Sequence, residues 1–566
     1  MMDAQRSDYD TFTTGTDRCL ATTHEVINQP PVLQDYNLFE QDTALREAAS
    51  REGADWAREE LNRYGAMTGT AEMIHRGFEA NRFKPVFHSH DRFGHRIDAV
   101  EFHPSYHDLM RTGLEHGLHS SPWTRSGNGA HVARAAKYYM HSQVEAAHCC
   151  PITMTFAAIP TIRHQASLAQ IWETRILANR YDPANKPDSQ KDAVTIGMAM
   201  TEKQGGSDVR ANTTKAFAIG KEGPGEAYEL VGHKWFMSAP MCDAFLVLAQ
   251  SRGGLSCFLM PRWRPDGSKN PCQLQRLKDK MGNVANASGE AELRGALAWM
   301  VGEEGRGVPT IIEMVALTRF DCMIGSAAGM RQAIAQASHH ARHRSAFGHK
   351  LADQPLMQNV LADLAIESEA ALAFTMRMAR ALDHQDQEHE RLLTRLATPV
   401  GKYWICKRSP NLAYEAMECI GGNGVMEDSI MPRLFRESPV NAIWEGSGNI
   451  QCLDTLRAMH KAPETLDAFL SEVSLARGAD ARFDRFLDHL QKDTGDLSDA
   501  EYRARNLVDR MALALQAALL LQHSDQAVAD AFCATRLTPH GGLNFGNLPA
   551  GTDAKAILKR ATPVVD

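Results

Sequence analysis

Between residues 131 and 149, "HVARAAKYYMHSQVEAAHC", apolar positions Ala135, Tyr138, Tyr139 and Val144 return at near-helical spacing. The same periodicity runs through most of 41–180 and predicts a helical N-terminal domain, 41–192. The polar stretch "YDPANKPDSQKD" (181–192), with two prolines, closes it as a linker. The residues before it, 1–40, are polar and Thr-rich and predict an arm rather than a packed element. After the linker the texture changes. Short runs such as "VTIGMAMT", "AYELVGHKWFMS", "AFLVLAQ" and "LSCFLMP" alternate with "KEGPGE", "RGG" and "RPDGS". Short strands with Gly/Pro turns at this spacing predict a compact β-domain, 193–301.

Past "GEEGRG" (302–307) the helical period comes back. Leu361, Leu364, Ser368, Ala371, Leu372, Thr375, Met378 and Leu382 keep one face over several turns, as in a helix bundle spanning 302–460. A further helical extension covers 461–566, where "SDAE" (498–501) has the spacing of a capping box ahead of a long apolar run. Helices, then strands, then helices give an α+β class in separate domains.

Composition adds bounds. Of 566 residues, 43% are hydrophobic and 23% charged, with a net charge of −8, so no global basic field advertises nucleic acid or anionic membrane. The N-terminus carries acids and hydroxyls where a signal peptide needs a basic start and an apolar run. The best apolar stretch, "MALALQAALLLQ" (511–522), is too short to cross a bilayer. Eleven cysteines are scattered without a C-x-x-C pair, which predicts a cytoplasmic protein without structural zinc or another metal centre.

Four short strings carry chemistry. "MTEKQGGSDV" (200–209) follows a predicted strand and offers N–H groups and a hydroxyl at close approach, although a plain β-turn reads the same way. "GHKWFMSAP" (232–240) places rings and Ser238 at strand spacing, equally a core strand with an edge serine. "RHRSAFG" (342–348) ends a helix and "CIGGNG" (419–424) reads as a helix C-cap. In "NAIWEGSGNIQCLD" (441–454), Glu445 is either a helix-start charge or a general base aimed into a pocket, and the string alone leaves both open.

The order of the strings is more specific than any one of them. A strand with T-E-x-x-x-G-S-D, then G-x-K-x-(aromatic)-x-(Ser/Thr), R-x-x-F-G, G-G-N-G and (aromatic)-E-G-(Ser/Thr) resembles the acyl-CoA dehydrogenase family. "LKDKMGN" and the extra C-terminal segment resemble its AidB-like branch, adaptive-response flavoproteins linked to alkylation stress. The resemblance implies an N-terminal helical domain, a central β-domain and a four-helix bundle holding FAD, in a homotetramer. It implies flavin or pyrophosphate contacts from Met200, Thr201, Gln204, Gly206 and Ser207, a ring near the flavin from Phe236 and a hydroxyl near N5 from Ser238. Gly421, Gly422, Ser447 and Asn449 match further cofactor positions. Arg344 and Phe347 match residues lent to a neighbouring subunit's FAD. Glu445 falls on the catalytic base, with Trp444 and Arg457 as pocket residues and an acyl-CoA thioester as substrate. Burial beside Trp444 is expected to raise the Glu445 pKa.

Two departures mark this chain. Glu418 stands where Gln is usual, and Lys203-Gln204-Gly205-Gly206-Ser207 replaces P-G-A-G-S, which implies a more polar pocket. The AidB-like branch also implies a competing role, a DNA-binding flavoprotein that protects against alkylation with vestigial dehydrogenase chemistry. Against it, residues 461–566 hold 12 Lys/Arg and 15 Asp/Glu, whereas neutralised phosphates need a basic excess. Asp499/Arg503 and Glu501/Arg505 are spaced as i,i+4 helix pairs that would occupy those arginines, leaving Arg503 with Arg510 as the candidate basic face.

Overall fold

The computed structural model describes residues 24–539 and 542–565. The N-terminal part is helical from Thr43–Ala49 to Ala166–Ile176, interrupted by one hairpin, β1 (Val86–His90) and β2 (Arg96–Glu101), that the helical periodicity does not predict. The arm expectation for 1–40 fails where the chain is described from 33 onward. Leu33, Tyr36, Leu38 and Phe39 are buried, and the Tyr36 hydroxyl donates to Gln332 Oε1 at 3.1 Å. Residues 1–23 of that arm lie outside the described residues.

The central domain holds β3 (Ile196–Ala199), β4 (Lys215–Ala218), β5 (Ala227–Ser238), β6 (Ala244–Ser251), β7 (Gly254–Pro261), β8 (Cys272–Leu277) and β9 (Ser288–Val301). They run in the order β3-β6-β4-β5-β9-β7, with β8 on β9 and β7 pairing back to β6, so the ladder closes on itself. Closure explains the continuous apolar run in β6: Ala244 through Ala249 are all buried. A buried ion pair ties the motif loop after β3 to β5. Lys234 Nζ donates to Glu202 Oε1 at 2.9 Å, and the carboxylate also accepts from Thr213 and Thr214 N–H groups and Gln204. Burial opposes that charge, but Lys234 and the hydrogen bonds outweigh it and hold the Glu202 carboxyl down to about 2.

Three long helices, Gly307–His343, Pro355–Asp383 and Glu388–Ile420, pack with Gly448–Lys461 into the bundle. The C-terminal extension is part of the same hydrophobic core: Leu507, Val508, Met511 and Leu515 of the Ala500–His523 helix are buried in it. Buried charges lock it down, with Arg377 on Glu390 and Glu472 at 2.8 and 2.6 Å and Arg536 on Asp363 at 2.5 Å. The capping box does not form. Asp499 sits at the helix start with φ 51° and no side-chain cap bond, because Ser498 Oγ donates to Asp496 Oδ1 at 2.6 Å instead. Among the described residues no helix is long and apolar enough to cross a membrane.

Candidate active site

Three helices turn one face each toward a common cavity between bundle, N-terminal domain and β-domain. On Gly307–His343 the face is Thr318, Asp321, Cys322 and Gly325, the i, i+3, i+4, i+7 spacing of one helix side. Tyr138 and Ser142 come from Ala130–Val144, and Cys150, Thr153 and Met154 from Cys149–Arg163. Met198 and Ser238 enter from the β-domain, and Trp444 and Glu445 from the loop before Gly448–Lys461. Asp321 is not a free acid there. Arg134 grips it through two bonds of 2.5 and 2.6 Å and Thr153 donates at 2.6 Å, so this carboxylate is structural.

Glu445 is held in an unfavourable backbone state. Its φ is 57°, the left-handed region that costs a residue with a Cβ roughly 1–2 kcal/mol, and Gly446 follows at φ 98°. Side chains from three elements fasten the three consecutive carbonyls of this turn. Lys402 Nζ donates to Trp444 O at 2.8 Å and Gly446 O at 2.6 Å. Gln451 Nε2 donates to Glu445 O and Gly446 O, both at 2.9 Å, and Arg319 Nε to Glu445 O at 2.9 Å. Arg319 is itself fixed by Asp454 at 2.7 Å, which also binds Arg395 at 2.8 Å. Lys402 reaches the loop because its helix runs close to Gly307–His343: a Cβ at Gly401 would clash with Met323 Cε.

The Glu445 carboxyl lines the cavity and, among the described residues, accepts one hydrogen bond, from Thr318 Oγ1 at 2.9 Å. Burial raises its pKa above the ordinary carboxylate value, and the Thr318 bond, Arg319 and Lys402 pull it back. Trp444 is clamped alongside, its indole N–H donating to Asn441 Oδ1 at 2.9 Å. Lys402, Arg319 and Gln451 are absent from the residues singled out by sequence. Their signal was present as polar side chains inside apolar helical runs, "TPVGKYWIC" and "ALTRFDCMIG", and a glutamine six residues past the acid.

The remaining expected residues fall into three places. Ser238, Trp444 and Glu445 share the cavity wall. Thr201, Ser207 and Ser447 present hydroxyls that bond no group among the described residues, and the Gly448–Lys461 helix starts at Ser447 without a side-chain cap. Added Cβ atoms at Gly421 and Gly422 would meet nothing within 4 Å. Unspent hydroxyls, open glycines and an uncapped helix N-terminus suit a large polyanionic cofactor. Gln204 is turned inward onto Glu202 and Ala211 O at 2.7 and 3.0 Å. Arg344 donates to Asn28 O at 2.7 Å, and Phe347, at φ 53°, is 96% exposed, both away from this cavity. Arg457 is not on the wall: its side chain is 63% exposed and sits 4.0 Å from Asp454.

Three family models match in chain order. They describe the AidB adaptive-response N-terminal domain over residues 28–183, the acyl-CoA dehydrogenase middle domain over 197–296 and the acyl-CoA dehydrogenase C-terminal domain over 305–460. AidB of Escherichia coli (strain K12) is 45% identical over 92% of this chain and 96% of its own length. The chain belongs to the acyl-CoA dehydrogenase family. Acyl-CoA dehydrogenase family member 11 of Caenorhabditis elegans is 30% identical over 83% of this chain and 81% of its own length. The crystal structure of Caenorhabditis elegans ACDH-11 in complex with C11-CoA matches with a TM-score of 0.83 at 28% identity, covering 96% of this chain and 99% of that one. An acyl-CoA dehydrogenase from Bacillus anthracis, solved with FAD, shares the fold at TM-score 0.60 and 17% identity, over 81% of this chain and 87% of its own.

The C-terminal arginines do not form the helix pairs that their spacing suggests. Arg503 donates to the carbonyls of Asp496 and Ser498 at 2.6 and 2.8 Å, and Arg505 to Asn449 Oδ1 at 2.8 Å. Arg510 is paired with Asp493. Asp499 lies at the N-cap outside the helix, at φ 51°, whereas Glu501 and Arg505 share the helix and Arg505 is drawn instead to Asn449.

Replacing Lys402 by Met strips the donors from Trp444 O and Gly446 O. The loss is expected to cost about 1–3 kcal/mol and to raise amide hydrogen exchange selectively over 441–451. Exchange in that segment equal to wild type would show that Lys402 does not hold the turn.

Proposed function

We propose that this chain is an FAD-dependent acyl-CoA dehydrogenase in which Glu445 removes the α-proton of the thioester. The observation that carries the reading is a desolvated carboxyl on a pinned left-handed turn, facing a cavity with a single hydrogen bond. An α-proton of a thioester is weakly acidic. Its removal needs a positioned base of raised pKa and donors for the negative charge that builds on the carbonyl. Thr318 fixes the carboxyl, and desolvation raises its basicity. The backbone N–H of Glu445 has no acceptor among the described residues and is free to bond the substrate carbonyl. Trp444 and the helix faces around it exclude water from the reacting carbons. FAD, when bound, supplies the electron sink that takes a hydride from the β-carbon.

Thr201, Gly206, Ser207, Ser238, Gly421, Gly422, Ser447 and Asn449 would hold the cofactor, with Met200 and Phe236 beside them and Gln204 bracing their loop. Arg344 and Phe347 would serve the cofactor of a neighbouring subunit in a homotetramer. Supporting this, the Phe347 ring is almost fully exposed, an unfavourable state for a large apolar side chain that a neighbouring subunit would relieve. Arg319, rather than Arg457, is the arginine that serves the base. The paired or backbone-bound tail arginines give the DNA-binding alternative no further support.

With Glu445→Gln, fold and FAD content are expected to survive, and flavin reduction by any acyl-CoA that reduces wild type should drop roughly a hundredfold or more. Stopped-flow absorbance reads it; reduction at the wild-type rate would return Glu445 to a structural role. Arg344→Ala is expected to lower the FAD-to-protein ratio after gel filtration and weaken assembly. A stable monomer that retains FAD as wild type does would reject donation between subunits.

A further inference from the structure

A second carboxyl faces the same cavity. Glu437 ends the Met431–Glu437 helix and lines the wall together with Glu445. One of its oxygens is structural. Oε2 accepts from the Asn283 backbone N–H at 2.5 Å, tying the loop between β8 and β9 to the bundle. The other oxygen, Oε1, has no hydrogen bond and no cation within ion-pair distance among the described residues.

The neighbouring cations spend their hydrogen bonds elsewhere, apart from Arg433 Nη1, which has no hydrogen-bond partner among the described residues. Lys280 donates to Asn286 O and Ser288 Oγ at 2.6 and 2.9 Å, and Arg433 to Val144 O at 2.7 Å. A second buried acid, Glu145, lies close by and is bound to His148 at 2.8 Å. Burial first, and then the charge of Glu145, push the Glu437 carboxyl up to about 7. Glu437 is half-buried, with one oxygen bonded and the other without a partner on the cavity wall, so a ligand that displaces water from it without donating a hydrogen bond would leave that oxygen unpaired at a cost.

Most of the other polar side chains on this wall have partners. Tyr138 donates to Cys149 O, Asn441 bonds Ser326 and Trp444, and Asp321 is saturated by Arg134 and Thr153. Ser142 has only a long contact of 3.6 Å to Cys149 Sγ. Ser238, whose hydroxyl meets only the Cys150 thiol, is set aside for the cofactor, so the unspent acceptors left for an acyl chain are the base itself, Glu437 Oε1 and the Ser142 hydroxyl. A purely aliphatic acyl chain would leave the last two unpaired.

We propose that Glu437 is a specificity-determining residue: its free oxygen accepts a hydrogen bond from a hydroxyl or ammonium group on the acyl chain, so that the enzyme takes polar acyl thioesters in preference to aliphatic ones. This rests on the dehydrogenase reading above and names the substrate class of that site.

The test uses the FAD-loaded enzyme and CoA thioesters of four- to six-carbon acyl chains ending in a hydroxyl or an amine. Each is compared with the alkanoyl-CoA of equal heavy-atom count. Binding is read from flavin absorbance with the 3-thia analogues, which cannot be dehydrogenated, and turnover from flavin reduction with the parent compounds. At one chain length the hydroxyl or amine compound should bind at least about tenfold tighter than its alkyl match, the size of one buried hydrogen bond to a carboxyl group. The two end groups separate a neutral from a cationic donor. Glu437→Gln keeps an oxygen for Asn283 N–H, so melting temperature and FAD content should stay unchanged while the preference disappears. Alkyl chains winning at every length, or ratios unaffected by Glu437→Gln, would overturn the proposal. Donor preference in binding without flavin reduction by any parent would leave this subsite standing and sink the dehydrogenase reading. Reduction without donor preference would do the reverse.

Discussion

The left-handed turn at Glu445 is the constraint on which the site depends. An unconstrained loop would relax it, since the conformation costs about 1–2 kcal/mol for a residue with a Cβ. Here Lys402, Arg319 and Gln451 bond the carbonyls of Trp444, Glu445 and Gly446 from three different helices. Each donor is buried, so releasing the turn would strand polar groups away from water. The turn aims the carboxyl at the cavity, and the Glu445 N–H has no acceptor among the described residues. The helix packing then acquires a chemical meaning. The close approach at Gly401 brings Lys402 within reach, and Asp454 fixes Arg319 against the turn.

A second set of buried charges keeps the other wall of the site in place. Glu202 and Lys234 hold the loop after β3 against β5, which presents Thr201 and Ser207 on one side and Ser238 on the other. Arg134 and Asp321 join the N-terminal helices to the bundle directly behind the cavity. Pairs of this kind add little net stability over an apolar core, but a member left alone is strongly destabilising, so they fix one arrangement of domains. The C-terminal extension is fastened in the same way through Arg377 and Arg536. Its core helix is continuous with the bundle, which makes it a structural buttress of the dehydrogenase fold.

The alternation of helical and strand texture along the chain is local information, and the α+β class could be read from it. The order of the strings, through the resemblance it carries, also singled out the acid, which its own Trp-Glu-Gly-Ser run left open between helix-start charge and base. Contacts across long stretches of sequence were not legible. Arg319 and Lys402 lie 126 and 43 residues from Glu445, and nothing in their own segments states what they bond. Local pattern also misled where a competing local bond won: Ser498 bonds Asp496 and so cannot cap the next helix. Residues 33–39 look like an arm because only four apolar side chains carry their burial, and those are recognised as core only through distant partners, Gln332 for Tyr36 and Gly65 for the Leu38 N–H. Arg457 was drawn to the pocket by its place in the string, whereas the helix turns it outward.

Whether the pinned carboxyl removes a carbon-bound proton is measured most directly by the isotope effect at that carbon. Anaerobic stopped-flow mixing of the FAD-loaded enzyme with an acyl-CoA that bleaches its flavin, protiated or dideuterated at the α-carbon, isolates the step. Glu445 acting as base predicts a several-fold slower bleaching with the deuterated compound. Bleaching at identical rates for the two isotopologues would contradict proton abstraction as the step this site controls, and a flavin that no acyl-CoA bleaches would contradict the dehydrogenase function itself.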